Sequence, residues 1–579
     1  MDKRTILALA LVAIVVIITP KLFPSSTVPP VTTPATADSS RLSPQSVPSA
    51  APSPGQAART LETPAAGATA DTGNPARAGT TADSLQTSAV TRPESTVIAV
   101  PSARYTFTNL GAAPLSVELP KYKALDKTDR TVTLTTGREP LLSYRVLGAA
   151  DTVALQSVAF RHEQSTTPRG ETVIRYSGQA RGRPISVQYT IVPDSFLTRV
   201  SGTVGPDAAG NPAVFLLIDL PTTFKSFEAD TVDDLNHLAY AIKPKVRNAE
   251  GIPFGKLDPG ERQLVPGPLS WAAAKSKYFI VGVLAAEADS SFAEAITVGG
   301  ARTSKTATVA HGTIVVRLTN GTFGYDLYTG PQEWKRLKSL GRDFENSNPY
   351  GGWLQGVVQP FATLVMRILL WMRDTLKLNY GWLLVIFGVA VRLVLWPLNH
   401  GAMRTSMKMQ RLQPELNEIQ KKYKSDPQKQ QAEMMRVYKE HNMSPFSTFA
   451  GCLPLFLPMP VLFALFFVFQ NTIEFRGVPF LWLADISLKD PFYIVPLLMG
   501  VSMFVLSWVG MRNSPPNPQA KMMLYIFPVM MTVLFASFPS GLNLYYAIQN
   551  IAAIPQQWLI ANERLKSGGT GGGGGKKAA

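Results

Sequence analysis

One residue in this chain stands where a charge is costly. In the run 380–398, YGWLLVIFGVAVRLVLWPL, Arg392 is the sole charged residue. A helix needs roughly 20 mostly apolar residues to cross a bilayer core of ~30 Å, and this run meets that length. An arginine inside such a span costs about 2.5–3.5 kcal/mol on insertion scales, and cations held there usually face polar cavities or pathways. Arg392 also lies only about 9 Å of helix rise from Leu398, so its head could reach the nearer membrane face. Two roles are therefore open: a fixed positive charge that attracts acidic or polar groups, or a snorkelling side chain. A second polar set is Asn543, Tyr546 and Asn550, three and four residues apart and so on one helix face. Such a strip in lipid faces protein or water. It could line a polar recess or tie helices together.

Other reactive residue types are sparse. Cys452 is the single cysteine, which excludes a disulfide framework, a cysteine metal cluster and an N-terminal lipobox. His162, His237, His311 and the scattered acids of the middle region show no ligand spacing. No catalytic, cofactor-binding or metal-binding residue is assigned, no cofactor is implied, and the chain is read as a non-enzyme. The formal charge of +16 suits nucleic acid or an anionic membrane surface. Much of the surplus sits beside apolar runs, so the lipid bilayer is the expected partner and nucleic acid is not expected as a substrate.

The elements that position these residues follow in order. Residues 1–20 combine a basic head with an apolar run and read as an uncleaved signal-anchor transmembrane helix, a cleaved signal peptide being the alternative. Residues 21–96, rich in Pro, Ser, Thr and Ala, read as a disordered linker. Residues 97–345 carry short alternating runs such as PISVQYTIV, preceded by the turn residues Arg181-Gly182, and a run closed by Asn320-Gly321. They predict a β-sandwich. Within 350–379, Leu354, Val357, Val358, Phe361, Leu364, Val365, Ile368 and Met372 form an apolar stripe at helical spacing, which suits an amphipathic helix lying in the membrane interface.

Residues 380–564 then read as a core of five transmembrane helices. The polar loop 400–448 has a cationic excess that includes Arg404, Lys408, Lys421 and Lys439, which places it in the cytoplasm. Inside it, Asp426-Pro427 starts the second arm of a helical hairpin. The remaining spans are expected at 449–470, 492–509, 522–538 and 542–560. With the anchor they make six, both termini are cytoplasmic, and the β-region faces the other side. Residues 565–579 form a flexible Gly/Lys-rich cytoplasmic tail.

Residues 327–564 resemble the YidC/Oxa/Alb family of membrane protein insertases, in the Gram-negative type with a large periplasmic domain. The matching stretches are YGGWLQGVVQPF, VRLVLWPL, GCLPLF, DPFYIVPLLMGVSMF and FPSGLNLYYAIQN, with YTGPQEWKRLKSLG just upstream. The resemblance implies a polytopic α-helical protein of the bacterial inner membrane with a periplasmic β-sandwich between its first two spans. It implies a hydrophilic groove whose positive charge is Arg392, with Tyr546, the second of the pair Tyr545-Tyr546, associated with it. It also implies insertion and chaperoning of nascent membrane proteins, alone or with the Sec translocon, and contacts of ribosome or signal recognition components with the cytoplasmic loops and basic tail. Two positions depart from the pattern: Pro458 where many relatives have glutamine, and Gly388 where a hydroxyl residue is common. A less polar groove lining is expected from both. The alternative function is a small-anion transporter using Arg392, although no inverted repeat is visible.

Overall fold

The computed structural model describes residues 93–568, apart from 127, 136–138, 150, 288–289, 303–307, 349–354, 425, 442–458 and 513–517. The expected anchor helix, the linker up to residue 92, Trp353, Leu354, Cys452, Pro454, Pro458 and the tail beyond 568 lie outside the described residues.

Alternation builds the β-region. In the strand Arg183–Ile191, residues Ile185, Val187, Tyr189 and Ile191 are buried and those between them are more exposed. The preceding strand Thr172–Ala180 returns into it through Arg181 (φ 48°) and Gly182 (φ 79°). Two successive left-handed residues match the twist of a two-residue hairpin. Asn320 (φ 53°) and Gly321 (φ 71°) form a turn closed by a Thr319–Thr322 bridge, although the strands on either side, Ala310–Arg317 and Thr322–Pro331, pair with different neighbours. The first strand, Ser95–Ala99, takes two residues from the segment read as linker, because Thr96 pairs with Phe107 across the antiparallel ladder.

Among the described residues, fourteen strands join in one sheet and four in a second. The long sheet folds over on itself. The Tyr144 hydroxyl lies 2.8 Å from that of Tyr189 and 2.7 Å from that of Tyr325, although their strands are far apart in the pairing order. Phe107 of the small sheet meets the Tyr189 ring at 4.9 Å. One hydrophobic core thus lies between the layers and makes this a single β-rich domain. A short helix, α1 (Thr231–Asn236), is capped by Asp230, and α2 (Trp334–Ser339) follows the last strand.

The rest is helical. Helix α3 spans Gln355–Leu376, α4 Tyr380–Lys422, α5 Pro427–Glu440, α6 Met459–Asn471, α7 Ile494–Met511, α8 Pro518–Phe535 and α9 Ser540–Gly568. The buried face of α3 keeps Val365 and Met372 of the stripe read in the sequence, with Val358 and Ile368 packed against the core, but is rotated away from Phe361 and Leu364. Ala362, Val365, Met366 and Leu369 are buried, whereas Phe361, Leu364 and Trp371 are exposed. The helix is apolar over more of its circumference than the protein covers, and the uncovered part suits lipid.

Helix α4 is continuous for 43 residues, so the apolar run and the first arm of the hairpin are one element of about 65 Å. Helix α5 folds back on it, with Leu412, Leu416, Val437 and Tyr438 in a small core of their own. Asp426 accepts from the Lys429 N–H (3.1 Å), and Pro427 occupies the first turn, where no amide donor is needed. Among the described residues, two stretches, Tyr380–Pro397 and Ile494–Met511, are long and apolar enough to cross a membrane, while Val461–Asn471 and Leu524–Phe535 are apolar but shorter. Helix α9 falls outside both groups, in keeping with its Asn543, Gln549, Asn550, Gln556 and Gln557.

Candidate functional site

Arg392 sits on the seam between α4 and α9. Gly388 lets the two helices approach closely, since a Cβ there would stand 3.2 Å from Ile548 and 3.5 Å from the Tyr545 ring. The Phe387 and Tyr545 rings meet at 5.8 Å. Two turns further on, Gln556 Nε2 donates to the Trp396 carbonyl at 3.0 Å. Both helices advance together between these contacts, so they run parallel, and Arg392 lies midway. Its residue is 9% exposed, against 61% for Leu393 and 72% for Val394. The guanidinium therefore turns into the bundle while the next two side chains turn out. Its Nε has no hydrogen-bond partner among the described residues.

Asn543, Tyr546 and Asn550 share a face of α9, but it is directed at α7 and α8 rather than along the seam. Asn543 Nδ2 donates to the Phe535 carbonyl at 2.9 Å, satisfying an acceptor at the C-terminal end of α8. Asn550 Nδ2 lies 3.3 Å from Ser502 Oγ and 3.5 Å from the Met499 carbonyl of α7. Tyr546 is half-buried and stacks on Phe535 with ring centroids 5.8 Å apart. The amide nitrogens of the two asparagines thus tie helices together, one of the two roles open to this strip, while Asn543 Oδ1 is buried without a partner among the described residues. Spacing fixes a common face but not the neighbour that the face meets.

Tyr545 and Gln556 meet α4 on either side of Arg392, at Phe387 and Trp396, and Gln549 shares their face of α9 by its spacing. The step of four residues from Tyr545 to Gln549 and of seven from Gln549 to Gln556 was a signal available in the sequence. Gln549 Nε2 and Gln556 Oε1 are buried without partners among the described residues. The α4–α9 seam is thus more polar than Gly388 alone suggests.

The segment between α6 and α7 joins the helices to the β-domain. Ile473 enters the β-domain core, while Phe475, Phe480, Leu483 and Ile486 pack in the helical core. Arg476 Nε lies 2.9 Å from each Glu228 carboxylate oxygen, and its Nη2 donates to the Lys123 carbonyl at 2.9 Å. Tyr278 reaches Ser487 at 3.2 Å, and the Trp334 N–H donates to Glu474 at 3.1 Å. Burial pushes both Glu228 and Glu474 up to about 7, with Arg476 opposing the shift at Glu228. The same segment seats α9, since Ser540 N–H donates to Leu488 O (2.7 Å) and Gly541 N–H to Ile486 O (2.9 Å).

A β-rich domain fastened to a bundle that holds membrane-length helices and a buried cation defines a class: a membrane protein with a large extramembrane domain. The family described as 60Kd inner membrane protein matches residues 371–567, and the YidC periplasmic domain matches residues 96–364. The chain belongs to the YidC family of inner membrane proteins, in the form that carries this periplasmic domain. It is 34% identical over 303 residues to the membrane protein insertase YidC of Anaeromyxobacter dehalogenans (strain 2CP-C), covering 52% of this chain and 53% of that one. It is 32% identical over 401 residues to that of Chlorobaculum parvum (strain DSM 263 / NCIMB 8327), covering 65% and 66%. The chain spans about half the length of the first of these relatives and just under two thirds of the second. A crystal structure described as active YidC insertase with the first transmembrane domain resolved is 20% identical, with a TM-score of 0.34 over 81% of this chain and 93% of that one.

Proposed function

We propose that this protein is a membrane protein insertase and chaperone that works without covalent chemistry. The observation that carries the reading is Arg392, a cation turned into the bundle from an otherwise apolar run. In a recess of low dielectric its charge acts more strongly than in water. It attracts acidic or polar parts of an incoming chain, whose apolar segment then slides into lipid beside the bundle. Burial of that segment supplies the drive, and the membrane potential adds about 2.3 kcal/mol per translocated acid per 100 mV. The α4–α5 hairpin receives the substrate first. Nascent membrane proteins are the substrates, and the Sec translocon and the ribosome are the partners that fit this role. Incubating the purified protein in liposomes with a short single-span substrate tests the reading. Protease-protected insertion without ATP is expected; the same yield from protein-free liposomes would contradict it.

The arrangement we propose has six spans, with α4, α6, α7, α8 and α9 as the last five. The hairpin and both termini are cytoplasmic, and the β-domain is periplasmic. Lys421 and Lys489 are both exposed and fall on opposite sides of this arrangement. In a Cys452→Ser background, Lys421→Cys should react with a thiol reagent only from the cytoplasm. Lys489→Cys should react only from the periplasm. Labelling of both from one side would overturn the map.

A further inference from the structure

Arg392 offers hydrogen-bond donors and no acceptor. A peptide segment leaving water carries both N–H and C=O groups, and each needs a partner there. The α4–α9 seam holds both kinds of group. Arg392 Nε and Gln549 Nε2 are donors, Gln556 Oε1 is an acceptor, and all three are buried without partners among the described residues. Gln549 is 4% exposed and Gln556 is 1% exposed, and buried polar atoms left unpaired are uncommon. Gln556 is anchored through Nε2 on the Trp396 carbonyl, which fixes where its free oxygen lies. The two glutamines are seven residues apart on one helix, or about 10 Å. That is the length of about three residues of extended chain.

We infer that Gln549 and Gln556 form, beside Arg392, a hydrogen-bonding wall that takes the main-chain amide groups of a peptide segment in transit. The inference rests on the insertase reading and adds a division of labour to it. Arg392 responds to the charge of the substrate. The glutamines, being neutral and offering both a donor and an acceptor, respond to backbone whatever the side chains. A small anion would use the arginine and leave the Gln556 acceptor without purpose. An extended peptide uses the donor and the acceptor of the two glutamines, and its acidic groups use the arginine.

Gln549 is the deciding position. Gln556→Met also removes the bond to Trp396, so its effect mixes structure with transit. Gln549→Met keeps the side-chain length and deletes an amide whose Nε2 is unpartnered in the resting protein, so it should leave Tm unchanged or raise it. The experiment compares initial insertion rates and Tm for the full-length wild type and the Gln549→Met variant in liposomes. It uses one single-span substrate with an acidic tail and a second with that tail neutralised. The expected result is a fall of about threefold to tenfold for both substrates alike, with no loss of Tm. Unchanged rates would overturn the inference and leave only water at these amides. A fall in Tm that accompanies the slower rate would also overturn it, because Gln549 would then be a structural bond. Failure of the wild type itself to insert either substrate would sink the insertase reading, a different outcome from either of these.

Discussion

Arg476→Ala is expected to lower the stability of the folded protein by about 3 kcal/mol, the low end for breaking a buried ion pair. The side chains of Arg476 and Glu228 are 6% and 7% exposed, so removing the cation leaves a buried carboxylate without its partner. The loss is held to the low end because Glu228 can take up a proton. That makes the effect dependent on pH. Glu228 and Glu474 titrate in the fold at about 7, above the usual carboxylate value. Each therefore binds a proton more readily folded than unfolded, and stability falls as pH rises from about 4.5 through 7. Without Arg476 the shift at Glu228 grows. The difference in Tm between wild type and Arg476→Ala in detergent should accordingly be larger at pH 8 than at pH 6. The double variant Arg476→Met/Glu228→Leu should recover part of the loss, since an apolar pair has no charge to desolvate. Identical melting of wild type and Arg476→Ala at both pH values would show that this joint does not hold the β-domain.

Much of the local structure was legible because it rests on neighbouring residues. Arg181-Gly182 and Asn320-Gly321 announce their turns, and Asp426-Pro427 announces the start of α5. Arg392 was legible for the same reason, as one charge in an apolar run. What failed depended on partners distant in sequence. Glu228 and Arg476 are 248 residues apart, and neither sits in a motif that points to the other. Asn543 and Asn550 were rightly placed on one face, but only the packing of α7 and α8 says which way that face looks. The stripe on α3 matched the buried face only in part, because the helix has further apolar residues, Ala362, Met366 and Leu369, beside it. The apolar run and the polar loop after it read as separate elements in the sequence, yet α4 runs through Pro397 from one into the other.

Arg392→Ala should cause the larger functional loss. Opposite charges 4 Å apart interact by ~1 kcal/mol in water and by ~4 kcal/mol at an effective dielectric of about 20. Some of that gain is offset by desolvation of the substrate's acid, so a net effect of ~1.4 kcal/mol, or about tenfold, is expected for a substrate with an acidic translocated tail. A cation at that depth matters more than the fork of a guanidinium, so Arg392→Lys should retain much of the activity. Removing the charge also lowers the cost of inserting α4 itself, so the variant can accumulate to higher levels than wild type. Activity is therefore compared at matched abundance.

The measurement that bears most directly on the buried cation is a set of paired insertion yields. Wild type, Arg392→Lys and Arg392→Ala are reconstituted at equal density and given two single-span substrates, one with an acidic tail and one with the same tail neutralised. A fixed charge in the recess predicts that the Ala variant loses about tenfold on the acidic substrate and changes little on the neutral one, with Lys close to wild type on both. A snorkelling arginine predicts that Ala inserts both substrates as wild type does, and that result would contradict the role assigned to Arg392.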